Sequence, residues 1–176
     1  MATKGSRRAR SGLVPSTLPG SFSSRVFIGG SYKAAASLAS GLAPRQLLDE
    51  LRKVVRAAGL HPVIADEYEV EERDRDIHHD AMFLLHACRL AIFELSEFSG
   101  ALMEIERTAD FDTTCIILHH DPKGKGHRLS WMLSSFVQQH NRRIRLYGYT
   151  DLDEAKNATR NWLDEMKRLG HAKAEK

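Results

Sequence analysis

Residues 89–108 read "RLAIFELSEFSGALMEIERT". The opening part, "RLAIFELS", is an almost continuous apolar run, the pattern of a strand buried on both faces of a parallel sheet. Ser99 and Gly100 then open a helix expected over 99–111, "SGALMEIERTADF". A buried strand feeding directly into a helix is the repeating unit of an α/β protein, where each crossover returns the chain to a parallel neighbour. Four glutamates, Glu94, Glu97, Glu104 and Glu106, crowd this handover. Ordinary core packing gives no reason for so much negative charge there.

Working outward, the same unit recurs. "RVFIGG" (25–30) is a short apolar run stopped by glycines. Residues 44–58 predict a helix, with Pro44 suited to its first turn and an apolar stripe of Leu47, Leu48, Leu51, Val54, Val55 and Ala58. Gly59 follows as a stop. "LHPVIA" (60–65) is a second strand, and residues 74–87 a second helix with Ile77, Ala81, Leu84, Leu85 and Cys88 on one face. After the opening stretch come a strand at "TTCIILHH" (113–120) and a helix at "HRLSWMLSSFVQQH" (127–140), striped by Leu129, Met132, Leu133, Phe136 and Val137. "RRIRLYGY" (142–149) is the fifth strand, and a helix over 151–168 closes the chain. Strands alternating with helices predict a single, doubly wound α/β sandwich around a five-stranded parallel sheet of order 2-1-3-4-5. In such a sheet the ligand crevice opens at the carboxyl ends of the first and third strands, where the winding reverses. Two segments are thereby singled out: "GGSYK" (29–33) and "SEFSG" (96–100).

A chain of 176 residues fits one domain, and its balance of 42% apolar to 28% charged residues is that of a globular protein in water. No apolar run approaches the roughly 20 residues needed to cross a bilayer as a helix, so no membrane partner is expected. The net charge of +3 is concentrated at the amino end, where Lys4, Arg7, Arg8, Arg10 and Arg25 stand among residues with no acid. The remainder is close to neutral, and no nucleic-acid polymer is called for. Residues 1–24, rich in Ser, Gly, Pro and Arg, are expected to form a disordered basic tail. An unprocessed tail is preferred over a transit peptide, which the same composition would also suit. The domain is expected to span 25–170, with 171–176 a carboxyl-terminal tail. Cys88 and Cys115 read as reduced, buried thiols of a cytoplasmic protein rather than a disulfide or metal pair.

At the expected crevice, Gly29 and Gly30 permit close backbone approach, useful where main-chain N–H groups meet a phosphate. Ser31, Tyr32 and Lys33 add a hydroxyl, an aromatic face and a cation. The spacing is neither a Rossmann nor a Walker fingerprint, and a tight turn explains a glycine pair equally well. Glu104 falls near the start of the helix that follows Ser99-Gly100, where the dipole favours an anion. Glu106 points about 200° further round that helix, and Glu97 is in the loop. A solvated helix face accounts for any one of these glutamates on pattern alone. Asp80 borders the buried face of the second helix, three residues after Ile77 and four before Leu84. His78-His79 and His119-His120 are adjacent pairs whose members diverge, with no HxxxH or HExxH spacing, so neither a metal nor a cofactor is expected. "DPKGKGH" (121–127) is a basic loop able to approach a phosphate or to serve as a solvated turn.

Taken together, "VFIGGSYK", "DRDIHHDAMFLLHAC", "AIFEL…SGALMEIERT" and "HRLSWML" resemble, in order and spacing, the nucleoside 2-deoxyribosyltransferase superfamily. The branch most similar is the 2'-deoxynucleoside 5'-phosphate N-hydrolases, and the likeness spans about residues 25–165. It implies a flavodoxin-like sandwich that cleaves, or transfers across, the N-glycosidic bond of a deoxynucleotide. Carried over by position, Glu104 in "SGALME" matches the family's catalytic glutamate and Asp80 its second active-site acid. Gly29, Gly30, Ser31, Tyr32 and Lys33 fall on the loop that cradles sugar and phosphate, with Tyr32 placed among the catalytic groups. Ser99 and Gly100, which open the helix of the catalytic glutamate, are placed among the substrate- and phosphate-binding residues. Ser130, with Met132 close by, matches the segment that reaches the phosphate in a neighbouring subunit, which implies a homodimer. Three features depart from the family: Cys88 stands where many relatives carry an acid, Ile105-Glu106 replace the glycine that follows the catalytic glutamate, and "KAAAS" follows strand 1 where a second glycine pair is usual.

Breaking a C1'–N bond builds an oxocarbenium-like cation on the sugar. A carboxylate beside C1' can attack it or stabilise it, and a second acid can protonate the departing base or orient water. The implied roles are therefore Glu104 as nucleophile and Asp80 as acid or orienting group. A TIR-like NAD glycohydrolase, which also relies on a glutamate after its third strand, is a rival enzyme. A nucleotide-sensing domain without turnover is a rival of another class.

Overall fold

The computed structural model describes residues 18–30, 44–67, 77–95, 101–121 and 131–174. Strands β1 (Arg25–Gly29), β2 (His61–Val63), β3 (Leu90–Glu94), β4 (Thr114–His120) and β5 (Ile144–Tyr149) form one parallel sheet in the order β2-β1-β3-β4-β5. The helices are α1 (Pro44–Ala57), α2 (Ile77–His86), α3 (Ala101–Thr108), α4 (Trp131–Gln139) and α5 (Leu152–Arg168). The expected doubly wound, flavodoxin-like arrangement is the one observed.

Alternation along the strands builds two separate apolar layers, because successive side chains leave opposite faces of a sheet. Val26, Ile28, Ile92 and Leu118 pack under α1 and α5, against Leu51, Val55, Trp162 and Leu163. Phe27, Phe93, Ala91 and Ile117 pack under α2, α3 and α4, against Leu84, Leu85, Ile105 and Leu133. Every residue of β3 is buried. Each such large apolar side chain contributes roughly 1.5–3 kcal/mol by leaving water, so the central strand is the best anchored element.

The helix ends follow local chemistry. Gly59, at φ 73°, closes α1: its N–H donates to Arg56 O and that of Leu60 to Val55 O, the paired bonds of a Schellman ending. Asp151 caps α5 by accepting from the Glu154 N–H at 2.9 Å. The helix expected over 99–111 stops at Thr108 and tightens into turns, where Ala109 N–H donates to Glu106 O and Asp110 N–H to Arg107 O. Arg143 explains the stop, since its guanidinium takes the Ala109 and Phe111 carbonyls at 3.1 and 2.8 Å.

Residues 18–24 and 172–173 pack together at the amino edge of the sheet. Residues 1–17 of the expected tail lie outside the described residues, but Leu18 and Ser24 are buried. Phe22–Ser24 form a short 3-10 turn, and Arg25 donates to the carbonyls of Leu18, Pro19 and Gly20. Ala172 is buried as well, and Lys173 N–H donates to Ser23 O at 3.0 Å. Among the described residues, no helix is long and apolar enough to cross a membrane.

Candidate functional site

The carboxyl edge of β1 and β3 carries the candidate site. In α3, Ile105 and Thr108 sit three residues apart and are fully buried. Thr108 Oγ1 donates to Ile105 O at 2.6 Å and lies 4.0 Å from Cys115 Sγ, which pins this face of the helix to the sheet. With Ile105 turned inward, Glu104 is rotated to the border of the buried face, partly covered, and Glu106 is exposed. Ile105 thus serves as the anchor of the helix.

Glu104 reaches the end of β1. A Cβ placed on Gly29 would come within 2.8 Å of Glu104 Oε2, 2.8 Å of Phe93 Cδ1 and 2.9 Å of Phe27 Cε1. The two rings are fully buried and tilted at 52°, with centroids 5.9 Å apart. The absence of a side chain at Gly29 is therefore what admits the carboxylate to this corner. Poor solvation there disfavours the anion, and burial pushes the Glu104 carboxyl up to about 7. A carboxyl that exchanges its proton near neutrality can act as base, acid or nucleophile.

On the opposite face of the same strand ends lies a second carboxylate. Glu94, the last residue of β3, is 2% exposed and accepts a 2.9 Å hydrogen bond from the Tyr149 hydroxyl at the end of β5. The ring of Tyr149 packs against His120, centroids 5.2 Å apart, and His120 Nε2 lies 3.3 Å from Thr150 O. Asp121 is buried beside them, its N–H donating to Tyr149 O at 2.7 Å. A Cβ on Gly30 would stand 3.4 Å from Glu94 Cβ and 3.5 Å from Glu94 O.

No family model matches the chain, and no curated protein matches it. A solved structure is similar: the CMP N-glycosidase BcmB of Clostridium botulinum, at 14% identity and a TM-score of 0.48. The match covers 82% of this chain and 98% of that one. So distant a likeness carries no statement about activity.

Of the residues singled out in the sequence, Gly29 and Glu104 come together at the predicted crevice, while Gly30, the next residue, faces Leu48 and Glu94. Asp80 is in the first turn of α2 and Met132 in the first turn of α4. Because α2 leads back to the amino end of β3, its first turn lies toward the carboxyl edge that also holds Glu104. Ser31, Tyr32, Lys33, Ser99, Gly100 and Ser130 lie outside the described residues. In the sequence Glu94 and His120 stood out only as one of four glutamates and one of a histidine pair, and neither Asp121 nor Tyr149 was singled out. One signal was available: "LAIFE" is a fully buried strand, so its terminal glutamate had no route to solvent. Among the described residues, no group of three His, Cys, Asp or Glu side chains is arranged to hold a metal ion.

Proposed function

We propose that the chain cleaves the N-glycosidic bond of a 2'-deoxynucleoside 5'-monophosphate, with Glu104 as nucleophile, by hydrolysis or by transfer to a second base. The observation that carries this reading is the Glu104 carboxylate seated against Gly29 at the switch point of the sheet, poorly solvated and with its pKa raised to about 7. The order of the four motifs supports the choice of reaction.

In this scheme the ionised Glu104 oxygen attacks C1' as the C1'–N bond breaks, its electron pair leaving with the base. The base takes up a proton, supplied by Asp80 or by water. Water then hydrolyses the glycosyl ester, returning Glu104 as a carboxylate and releasing 2-deoxyribose 5-phosphate. The glycine turn at 29–30, with Ser31 and Lys33, would hold the phosphate and Tyr32 the sugar. Ser99-Gly100 would set the start of the Glu104 helix. Ser130 and Met132 would complete the phosphate site of a partner subunit in a cytoplasmic homodimer.

The test is a panel of nucleosides and nucleotides, with NAD included, assayed for free base by chromatography. Base release from deoxynucleoside monophosphates that falls at least about 100-fold in Glu104→Gln supports the assignment. Undiminished release removes it, and turnover of NAD alone transfers the activity to the rival glycohydrolase.

A further inference from the structure

The buried pair formed by Glu94 and Tyr149 takes no part in the chemistry just described, yet it is built into the same strand ends. Glu94 stands between two constraints. Its carboxylate accepts from the Tyr149 hydroxyl at 2.9 Å, tying the end of β3 to the end of β5 across β4. Its Cβ and carbonyl lie beside Gly30, where an added methyl would stand at ordinary contact distance from them, 3.4 and 3.5 Å, and tight against Leu48 Cδ2 at 3.1 Å. The preceding residue, Phe93, pairs in register with Gly29, and its ring faces the Glu104 carboxylate on the other side of the sheet. Phe93 thus fits closely against Gly29 and Glu94 lies in contact with Gly30, with one carboxylate on each face.

A buried carboxylate is costly unless hydrogen-bonded, and an apolar residue at the end of so apolar a strand would pack without that cost. We propose that Glu94 is a positioning residue for the reaction assigned to Glu104. Held by Tyr149, it locks the end of β3 against the glycine turn and so fixes the corner in which Glu104 meets the sugar. The inference rests on the reading of Glu104 as the reacting group. Displacements of about 1 Å at such a corner can cost 100-fold in rate.

The described groups that titrate around Glu94 are Tyr149, the His120 ring packed on it and Asp121 beside them, all on the far face from Glu104. The corner that receives Glu104 is walled by Gly29, Phe27 and Phe93, which do not titrate. The effect sought is therefore one of packing.

The experiment compares Glu94→Gln, Glu94→Leu and Tyr149→Phe with the parent in two measurements. The first is an NMR titration of the 13C-labelled Glu104 carboxyl, which needs no substrate. The second is kcat and KM for base release. Glu94→Gln keeps an acceptor for Tyr149 and should leave the Glu104 midpoint and kcat within about threefold of the parent. Glu94→Leu should admit water to the corner, lowering the midpoint by a pH unit or more and kcat by roughly 10- to 100-fold, with KM little changed. Tyr149→Phe should move both in the same direction by less, and serves if the leucine variant does not fold. Variants that lose thermal stability but keep the parental midpoint and kcat would overturn the proposal, as would a glutamine variant that shifts as far as the leucine one. Should the parent release no base from any nucleotide, the proposed activity fails, while the titration still decides whether Glu94 sets the Glu104 environment.

Discussion

Glu104 Oε2 occupies the space that a side chain on Gly29 would fill: a Cβ at that position would lie 2.8 Å from it. The carboxylate from α3 and the end of β1 are therefore matched as knob and recess, and each limits what the other position can be.

Gly29→Ala should consequently cost both stability and activity. The added methyl would meet Phe93 and Phe27 as well, at 2.8 and 2.9 Å, and both rings are fully buried with no space into which to retreat. Overpacking of this kind costs roughly 1–3 kcal/mol, and the flexible Glu104 side chain is the member that yields. Base release should drop by about 10- to 100-fold, in line with a displaced reacting group, alongside a lowered melting temperature. An alanine variant with parental kcat would show that the carboxylate does not work from this corner.

The rate should also carry the signature of the buried carboxyl. As nucleophile Glu104 acts ionised, and burial holds its pKa up to about 7. In the free enzyme kcat/KM should therefore climb as pH rises through about 7, level off above that, and fall tenfold per unit on the acid side. A pH–rate profile between 5 and 9 checks this. A limb centred near 4.5, the ordinary carboxyl value, would mean that substrate meets a well-solvated Glu104.

The legibility of these features in the sequence follows their physical range. The strands could be read because burial on both faces leaves unbroken apolar runs such as "LAIFE" and "TCIIL", and strand order followed from the rule for doubly wound sheets. The stretch that carries Glu104 could be placed at the crevice from fold topology, but pattern alone left Glu104 a solvated helix face, and only the resemblance singled it out. The burial of Ile105 and exposure of Glu106 became visible in the structure. The partnership of Glu94 with Tyr149 could not, because the two are 55 residues apart and separated in the sheet by β4. A pair on non-adjacent strands leaves no spacing to detect. The end of α3 was missed for a like reason, since Arg143, which takes the Ala109 and Phe111 carbonyls just beyond it, comes from the residue before β5.

At the start of α5, stability and activity should separate. Asp151 accepts from Glu154 N–H at 2.9 Å, while the Glu154 carboxylate takes the Thr150 N–H at 2.7 Å and its hydroxyl at 2.9 Å. Asp151→Ala removes the cap and should lower the unfolding free energy by about 1 kcal/mol. The site at Gly29 and Glu104 lies on the opposite face of the sheet from α5, so kcat should stay at the parental value. Urea unfolding and the base-release assay measure the two effects. A large loss of kcat without loss of stability would assign the cap to the site instead.

Ionising Glu104 should weaken the fold, and the sign follows from linkage. Its carboxyl is raised in the folded protein from an ordinary 4.5 to about 7 by burial. The folded state thus binds the proton more tightly than the unfolded one, so this contribution to stability is intact below about 4.5 and is lost as pH rises through about 7. Replacing the group by Glu104→Gln removes the titration. The variant should be slightly more stable than the parent at pH 5 and clearly more so at pH 8. The gain is bounded at roughly 2–3 kcal/mol, and is smaller to the degree that water screens the partly exposed carboxylate. Urea unfolding of both proteins at the two pH values measures it. A difference that does not change with pH would show that Glu104 titrates alike in the folded and unfolded chains, and would remove the poorly solvated corner on which its role as nucleophile depends.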